Sequence, residues 1–172
     1  MNTPHSTTLV FAIALAALPS THAAPADAAG IGTPVARSDG LPFMIEGVWD
    51  EKITVKNCVS GGMLATAHGF NMFIRGGTLI ATNAAPPTTQ GPTFGNWWFD
   101  PPGRHYGVAM RFFRFDPATN AFLGWRDVQR EIELARDGKS LTGEITFQDF
   151  NPTGTQVGAG CASETGTRVL EH

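Results

Sequence analysis

The sequence predicts an all-β domain in which eight antiparallel strands form an up-and-down barrel closed by a Cys58 to Cys161 disulfide. Charged residues make up only 16% of the chain, whereas it contains 12 Phe and 4 Trp. Apolar runs separated by short turn signals follow one another from Gly47 onward, without a long amphipathic helical stripe. The two cysteines lie near the beginning and the end of this run. Together these features are typical of a β-barrel with short strands.

The first four strands are predicted between residues 47 and 99. In the first strand, Trp49 and Ile53 alternate with polar residues, the pattern of a half-buried strand. The Gly76-Gly77 pair indicates a tight hairpin between the second and third strands. A Pro-rich segment from Asn83 to Thr93 precedes the fourth strand and is long enough to form a lid or a rim. The expected bounds are about Gly47–Cys58, Met63–Arg75, Thr78–Thr82 and Phe94–Phe99.

The last four strands are separated by turn-forming sequences. Asp100-Pro101-Pro102-Gly103 precedes the fifth strand, and short Asp, Asn, Pro and Gly clusters precede the others. Connections this short require antiparallel neighbours. The expected bounds are His105–Phe115, Phe122–Leu134, Leu141–Phe150 and about Gln156–Arg168.

The N-terminal residues have the composition of an export signal. Residues 1–23 contain no Asp, Glu, Lys or Arg, and they include a ten-residue apolar run followed by small residues. We therefore predict a signal peptide at 1–23, a flexible leader at 24–42, the barrel domain at 43–169, and a tail at 170–172 that resembles a tag remnant. The chain is expected to be secreted or periplasmic. The apolar run is shorter than the ~20 residues that cross a bilayer, so no integral membrane span is expected.

The two cysteines indicate how the barrel closes. Cys58 ends the first predicted strand and Cys161 lies in the eighth. In an exported chain with two cysteines a disulfide is the expected state. The first and last strands of a closed meander are neighbours, so this bridge would join the two strands at the seam.

Gly47-Val48-Trp49 at the start of the first strand resembles the Gly-x-Trp signature of lipocalins and other calycins. The resemblance extends over about Gly47 to Arg168 and implies that Arg168 lies over the Trp49 ring, an arrangement favoured by cation–π attraction. The middle-loop motifs of lipocalins are absent. The chain therefore resembles an outlying calycin-type barrel, and an allene oxide cyclase or dirigent-type barrel is an alternative.

The barrel interior is the expected site of function, because eight strands leave room for side chains or for one small ligand. The preferred hypothesis is an exported protein that holds a small hydrophobic molecule inside the barrel. Asn83–Thr93 and the aromatic residues that follow it would form the rim. The residues expected to bind the ligand are Ile53, Phe70, Met72, Trp97, Trp98, Tyr106, Met110, Phe112 and Arg126.

Two other functions remain open from the sequence. The first is a cofactor-independent isomerase or cyclase, in which polar side chains move a proton or hold an oxyanion. Its candidate catalytic residues are Glu51, His68, Tyr106 and Asn71. The second is a structural barrel with a filled core that forms homo-oligomers through the outward aromatic residues Phe113, Trp125 and Phe150.

Charge and motif content argue against several function classes. The formal net charge of −3 makes nucleic acid an unlikely partner. We find no metal-ligand spacing or nucleotide-binding fingerprint, and therefore expect no metal and no cofactor. Glu51 has the parity of Trp49, and an internal charge must be paired. We therefore expect Glu51 to form an internal ion pair with Arg126 or Arg130.

Overall fold

The computed structural model describes residues 44–169 and contains eight strands with no helix among them. The predicted signal peptide (1–23), leader (24–42) and tail (170–172) lie outside the described residues. The strands are β1 (Gly47–Lys56), β2 (Met63–Ile74), β3 (Thr78–Asn83), β4 (Thr93–Asp100), β5 (His105–Phe115), β6 (Phe122–Leu134), β7 (Ser140–Phe150) and β8 (Gln156–Arg168).

The strands form one closed antiparallel barrel in the order β1 to β8, which confirms the predicted fold class. Each strand pairs with the next one in sequence, and β1 also pairs with β8, from Trp49 opposite Arg168 to Lys56 opposite Cys161. The disulfide between Cys58 and Cys161 is present, with 5.6 Å between the two Cα atoms. It joins β8 to the residues just after β1, as expected for a bridge at the seam. This architecture is consistent with a calycin-like barrel.

One end of the barrel is filled by a buried apolar core. The core draws residues from all strands but β8 and includes Trp49, Phe73, Leu79, Trp97, Tyr106, Leu134 and Leu141. Arg168 covers Trp49, with its guanidinium carbon 4.4 Å from the ring centroid. The guanidinium also donates hydrogen bonds to the carbonyl oxygens of Gly138, Glu46 and Met44. We call this end the closed end, because these contacts satisfy the charged group while it covers the core.

Gly47 makes the close approach of Arg168 possible. A Cβ atom at residue 47 would lie 2.7 Å from Nη1 of Arg168, and the φ of Gly47 is +121°. Both the space and the backbone conformation therefore require glycine. The glycine of the Gly-x-Trp sequence is needed for the contact between Trp49 and Arg168.

Residues 44–169 contain no helix that is long and apolar enough to cross a membrane.

Candidate ligand-binding mouth

The end of the barrel opposite the closed end contains a second apolar cluster, which we call the mouth cluster. Its floor is formed by Val128, Ile145 and Ala162, which are at most 5% exposed. Its walls are partly exposed side chains that pack against this floor: Ile53, Val55, Met110, Phe112 and Phe147. A side chain that points into a closed barrel reaches solvent only through the barrel opening. The mouth cluster is therefore an apolar surface that solvent reaches through the barrel opening, and we call this surface the cup.

Phe147 lies flat against one wall of this cup. A Cβ atom at residue 160 would lie 2.2 Å from Cζ of Phe147, so the absence of a side chain at Gly160 makes room for the ring. The ring also meets Arg126, whose guanidinium carbon is 4.0 Å from the ring centroid. Phe147 thus contacts both a strand backbone and a cation, and cation–π attraction adds to packing.

Two arginines share one carboxylate beside the mouth cluster. Arg126 donates from Nε and Nη2 to the two carboxylate oxygens of Asp149, at 2.7 and 2.8 Å. Nη1 of Arg114 lies 3.2 Å from Oδ2 of the same carboxylate. Burial tends to raise the pKa of Asp149, but the hydrogen bonds and charge of Arg126, together with the charge of Arg114, lower it overall. With Asp149 ionised, this group of three residues carries one surplus positive charge.

Below the mouth cluster, Arg130 crosses the barrel interior between two glutamates. Its Nη2 donates to Oε2 of Glu51 at 2.8 Å, and its Nε donates to Oε1 of Glu164 at 3.1 Å. The three side chains are at most 1% exposed. Oε1 of Glu51 and Nη1 of Arg130 have no hydrogen-bond partner among the described residues. Buried polar atoms of this kind are costly unless a proton or a ligand satisfies them.

The carboxyl group of Glu51 holds its proton more strongly than an ordinary glutamate. Burial raises its pKa, the charge of Arg130 lowers it, and the charge of Glu164 raises it again, so that the pKa moves from 4.5 to about 7. A proton on Glu51 leaves the group with one cation and one anion. The protonated form is therefore the better match for a buried site.

Glycines on the neighbouring strands make space for these glutamates. A Cβ atom at residue 143 would lie 2.5 Å from Oε1 of Glu164, and one at residue 166 would lie 3.1 Å from Cγ of Glu51. The carboxyl group of Glu164 and the side chain of Glu51 thus occupy space that a side chain at residue 143 or 166 would take.

Four of the residues predicted to bind a ligand lie in or beside the mouth cluster. Ile53, Met110 and Phe112 belong to its walls, and Arg126 contacts Phe147. The alternation of apolar and polar residues along β1, β5 and β6 is the signal that located them.

Trp97 lies at the closed end and not at the expected rim, and Tyr106 lies there too, inside the barrel as expected. Both are buried in the core of the closed end, where their ring centroids are 6.1 Å apart. Trp97 also donates from its indole nitrogen to the carbonyl of Ile74. The reason is the direction of β4, which begins at the mouth with Thr93 and runs toward the closed end. The aromatic residues later in this strand therefore lie away from the rim.

Phe70, Met72 and His68 lie on the outer surface, so their expected interior position is wrong. Trp98 also lies on the outer surface and not at the expected rim. Phe70 is 52%, Met72 45% and Trp98 46% exposed, and His68 is exposed as well. Residues directly opposite each other on paired strands share a face, and Trp49 lies opposite Asn71. The inward face of β2 is therefore that of Gly69, Asn71 and Phe73.

The four proposed catalytic residues do not form one site. Glu51 and Asn71 are buried inside the barrel, and Tyr106 is buried in the closed-end core, where burial raises its pKa. His68 is separated from them by the barrel wall. The structure does not bring an acid and a base together from this set.

Sequence reasoning missed Arg114, Asp149 and Glu164. Each shows the parity of interior residues: Arg114 follows Met110 and Phe112 by two-residue steps, Asp149 follows Phe147, and Glu164 precedes Arg168 by four residues. Applying the two-residue period to charged residues as well as to apolar ones would have identified them. The expected internal partner of Glu51 is Arg130, whereas Arg126 pairs with Asp149.

The Pro-rich segment before β4 forms part of the rim and is held to β5. Gly91 donates from its backbone nitrogen to the carbonyl of Phe113, and Phe115 donates to the carbonyl of Thr89. Asn83 and Gln90 also join side chains at 2.7 Å. These bonds extend the sheet beyond the start of β4 and hold the rim in place.

Residues 44–169 contain no group of three or more His, Cys, Asp or Glu side chains arranged to hold a metal ion. No family model, curated protein or solved structure matches this chain. The candidate site is therefore defined by its own geometry: an accessible apolar cup with a positively charged group on one wall.

Proposed function

We propose that this protein binds a small hydrophobic molecule with an anionic group in the mouth of the barrel. The observation that carries the proposal is the mouth cluster, whose apolar walls point inward and yet remain partly exposed. A cup of this kind gains free energy when an apolar ligand replaces the water in it. The proposal includes membership of an outlying branch of the calycin-type barrels, supported by Gly47, Trp49 and Arg168.

The anionic group is inferred from the charges beside the cup. Arg114 and Arg126 share the single carboxylate of Asp149. Both arginine side chains are 28% exposed, so an entering anion reaches them without displacing buried groups. A carboxylate on the ligand would neutralise the surplus charge while its apolar part contacts Ile53 and Phe112.

We also propose that the protein is exported. The disulfide is consistent with an oxidising compartment, and the composition of residues 1–23 supports an export signal. Mass measurement of the protein recovered outside the cytoplasm tests this, because cleavage after the signal removes residues 1–23. Recovery of the uncleaved chain from the cytoplasm would contradict it.

Calorimetric titration with two ligands of equal chain length, a medium-chain fatty acid and the corresponding alcohol, tests the binding proposal. We expect both to bind, and the fatty acid to bind about tenfold more tightly, since a hydrogen bond to a charged group contributes roughly 1.5–3 kcal/mol. Failure of both ligands to bind would contradict the binding function. Equal affinity would contradict the anionic group alone.

The strand β5 offers a matched pair of variants for this experiment. Arg114→Met removes the arginine that faces the mouth, and Arg111→Met removes one that faces outward and pairs with Asp127. We expect Arg114→Met to reduce fatty-acid affinity to that of the alcohol, and Arg111→Met to leave both affinities unchanged. Val128→Trp, which fills the floor of the cup, should weaken both ligands.

A further inference from the structure

A cavity of about 430 Å³ lies on the outer side of the barrel wall, over β6, β7 and β8, and we call it the outer groove. Its volume is within the range of small-molecule sites, about 300–1,000 Å³. The outward side chains that line it form two rows of directly opposed residues, with Glu131, Glu144 and Ser163 in the first row and Glu133, Thr142 and Thr165 in the second. Each row therefore places hydroxyl groups beside carboxylates on neighbouring strands.

Trp98 extends the first row beyond the outer groove. It lies directly opposite Gly107 on β5, and Gly107 lies directly opposite Glu131. A Cβ atom at residue 107 would lie 2.2 Å from Cε2 of Trp98, so the indole ring occupies the place of the missing side chain. Trp98 is nevertheless 46% exposed. The indole thus rests on the backbone of β5 and still offers nearly half of its surface to solvent, next to Glu131.

Lysines on β1 make the outer groove less suited to a cation than its glutamates alone would suggest. Nζ of Lys56 lies 2.9 Å from Oε2 of Glu144. Lys52 lies directly opposite Thr165, at the end of the second row. The groove and its margin therefore combine hydrogen-bond acceptors, hydroxyl groups and positive charge. This mixture suits a neutral ligand with many hydroxyl groups better than a polycation.

An exposed indole beside such polar rows matches the two kinds of surface that a sugar presents. The hydroxyl groups of a sugar donate hydrogen bonds to carboxylates, and they both donate to and accept from Ser and Thr hydroxyls. The C–H groups on the face of a sugar ring are apolar, and their weakly positive hydrogens pack favourably on the negative face of an aromatic ring. Trp98 would contact the apolar face of the sugar, and the first row would bind its hydroxyls.

We propose that Trp98 and the outer groove together bind a neutral oligosaccharide. Four strand spacings of about 4.8 Å separate β4 from β8, so the first row extends over about 19 Å along the barrel wall, which is longer than one sugar ring. One ring of the ligand lies on Trp98, and the following rings lie along Glu131, Glu144 and Ser163. The proposal is independent of the ligand proposed for the mouth, because the barrel wall separates the two sites.

Calorimetric titration of the full folded chain with neutral hexasaccharides tests the proposal. The probes are the hexamers of β-linked glucose, α-linked glucose, mannose, xylose and N-acetylglucosamine. We expect at least one to bind with a Kd on the order of 0.1 mM. Trp98→Ala should weaken this binding at least about tenfold, since aromatic packing of this size contributes roughly 1 kcal/mol or more. Failure of all five probes to bind overturns the proposal.

Phe94→Ala is the matched control, because Phe94 is an exposed aromatic residue on the same face of the same strand, 59% exposed. It lies opposite Arg111 and away from the outer groove, so we expect it to leave the affinity unchanged. Trp98→Tyr keeps an aromatic ring and should retain affinity within about threefold of the native protein. Equal losses in Trp98→Ala and Phe94→Ala, or no loss in either, would overturn the proposed site.

A double variant, Glu131→Gln with Glu133→Gln, separates a sugar from a cation as the ligand. The amides keep hydrogen-bonding oxygen atoms but carry no charge. We therefore expect saccharide affinity to change by no more than about threefold and to be insensitive to high salt. Titration with the polyamine spermine provides the comparison. Spermine that binds more tightly than every saccharide, with an affinity that the double variant abolishes, would overturn the proposal in favour of a cation site.

Discussion

Arg130 and Glu51 form a buried ion pair across the interior of the barrel, with 2.8 Å between Nη2 and Oε2, although their strands are not neighbours in the sheet. Glu164 completes the group from β8. This group lies between the closed-end core and the mouth cluster. The buried charged group thus lies at the boundary between the filled part of the barrel and its open mouth. We expect its titration to make the free energy of unfolding depend on pH.

The free energy of unfolding should decrease as the pH rises from about 4.5 to about 7. The folded protein holds the Glu51 proton with a pKa of about 7, against 4.5 as the ordinary value. Stabilisation by this proton is thus complete below pH 4.5 and is lost as the pH passes through 7, by about 3 kcal/mol in total. Urea unfolding at several pH values measures it. Glu51→Gln should remove this pH dependence, whereas the exposed-residue control Glu133→Gln should retain it.

Arg130→Met should destabilise the protein by about 3–5 kcal/mol, because it leaves two carboxyl groups buried without their cation. Combining it with Glu51→Leu and Glu164→Leu should restore most of the lost stability, since an apolar replacement of a buried charge group is often neutral or stabilising. Urea unfolding of the single and triple variants provides the comparison. A triple variant less stable than Arg130→Met would mean that the charges themselves stabilise the fold.

Replacing both Cys58 and Cys161 with Ser should lower the unfolding free energy by about 4–5 kcal/mol. The bridge closes a loop with a sequence separation of 103, which restricts the unfolded chain strongly. Unfolding with and without a reducing agent measures the effect. The reducing agent should destabilise the native protein and leave the double variant unchanged. A native protein insensitive to reduction under denaturing conditions would contradict this role.

Gly47→Ala should cost well over 1 kcal/mol, since it combines an unfavourable positive φ with a clash against Arg168. Gly61→Ala is the matched control, because Gly61 also has a positive φ, of 71°, but nothing lies within 4 Å of the added Cβ atom. We expect the control to show only the backbone cost, of about 1 kcal/mol. Thermal unfolding compares the two variants, and equal losses would show that the contact with Arg168 adds nothing.

Residue patterns within each strand were sufficient to predict most of the fold. The bounds of β5, β6 and β8 agree with the prediction, and the other strands differ from it by at most two residues. Alternation along β5 placed Met110 and Phe112 inside correctly. These features depend on neighbouring residues in the chain, because turn-forming residues and the two-residue side-chain period act locally.

β2 shows where local pattern fails. It carries Phe73 on its inner face and Phe70 and Met72 on its outer face, so apolar residues occupy both faces. A strand of this kind has no alternation from which to choose an inner face. Only the pairing of Trp49 with Asn71 determines which face of β2 points inward, and it leaves Phe70 and Met72 on the outer surface.

The sequence by itself determined that the chain forms eight antiparallel strands, because turns, alternation and loop length are properties of adjacent residues. It also predicted that the two cysteines meet at the seam, because the first and last strands of a closed meander are neighbours. Only the tertiary structure decided that Arg130 lies between Glu51 and Glu164 and that Arg114 shares Asp149 with Arg126. These partners come from distant strands, and the register of the closed sheet brings them within hydrogen-bonding distance.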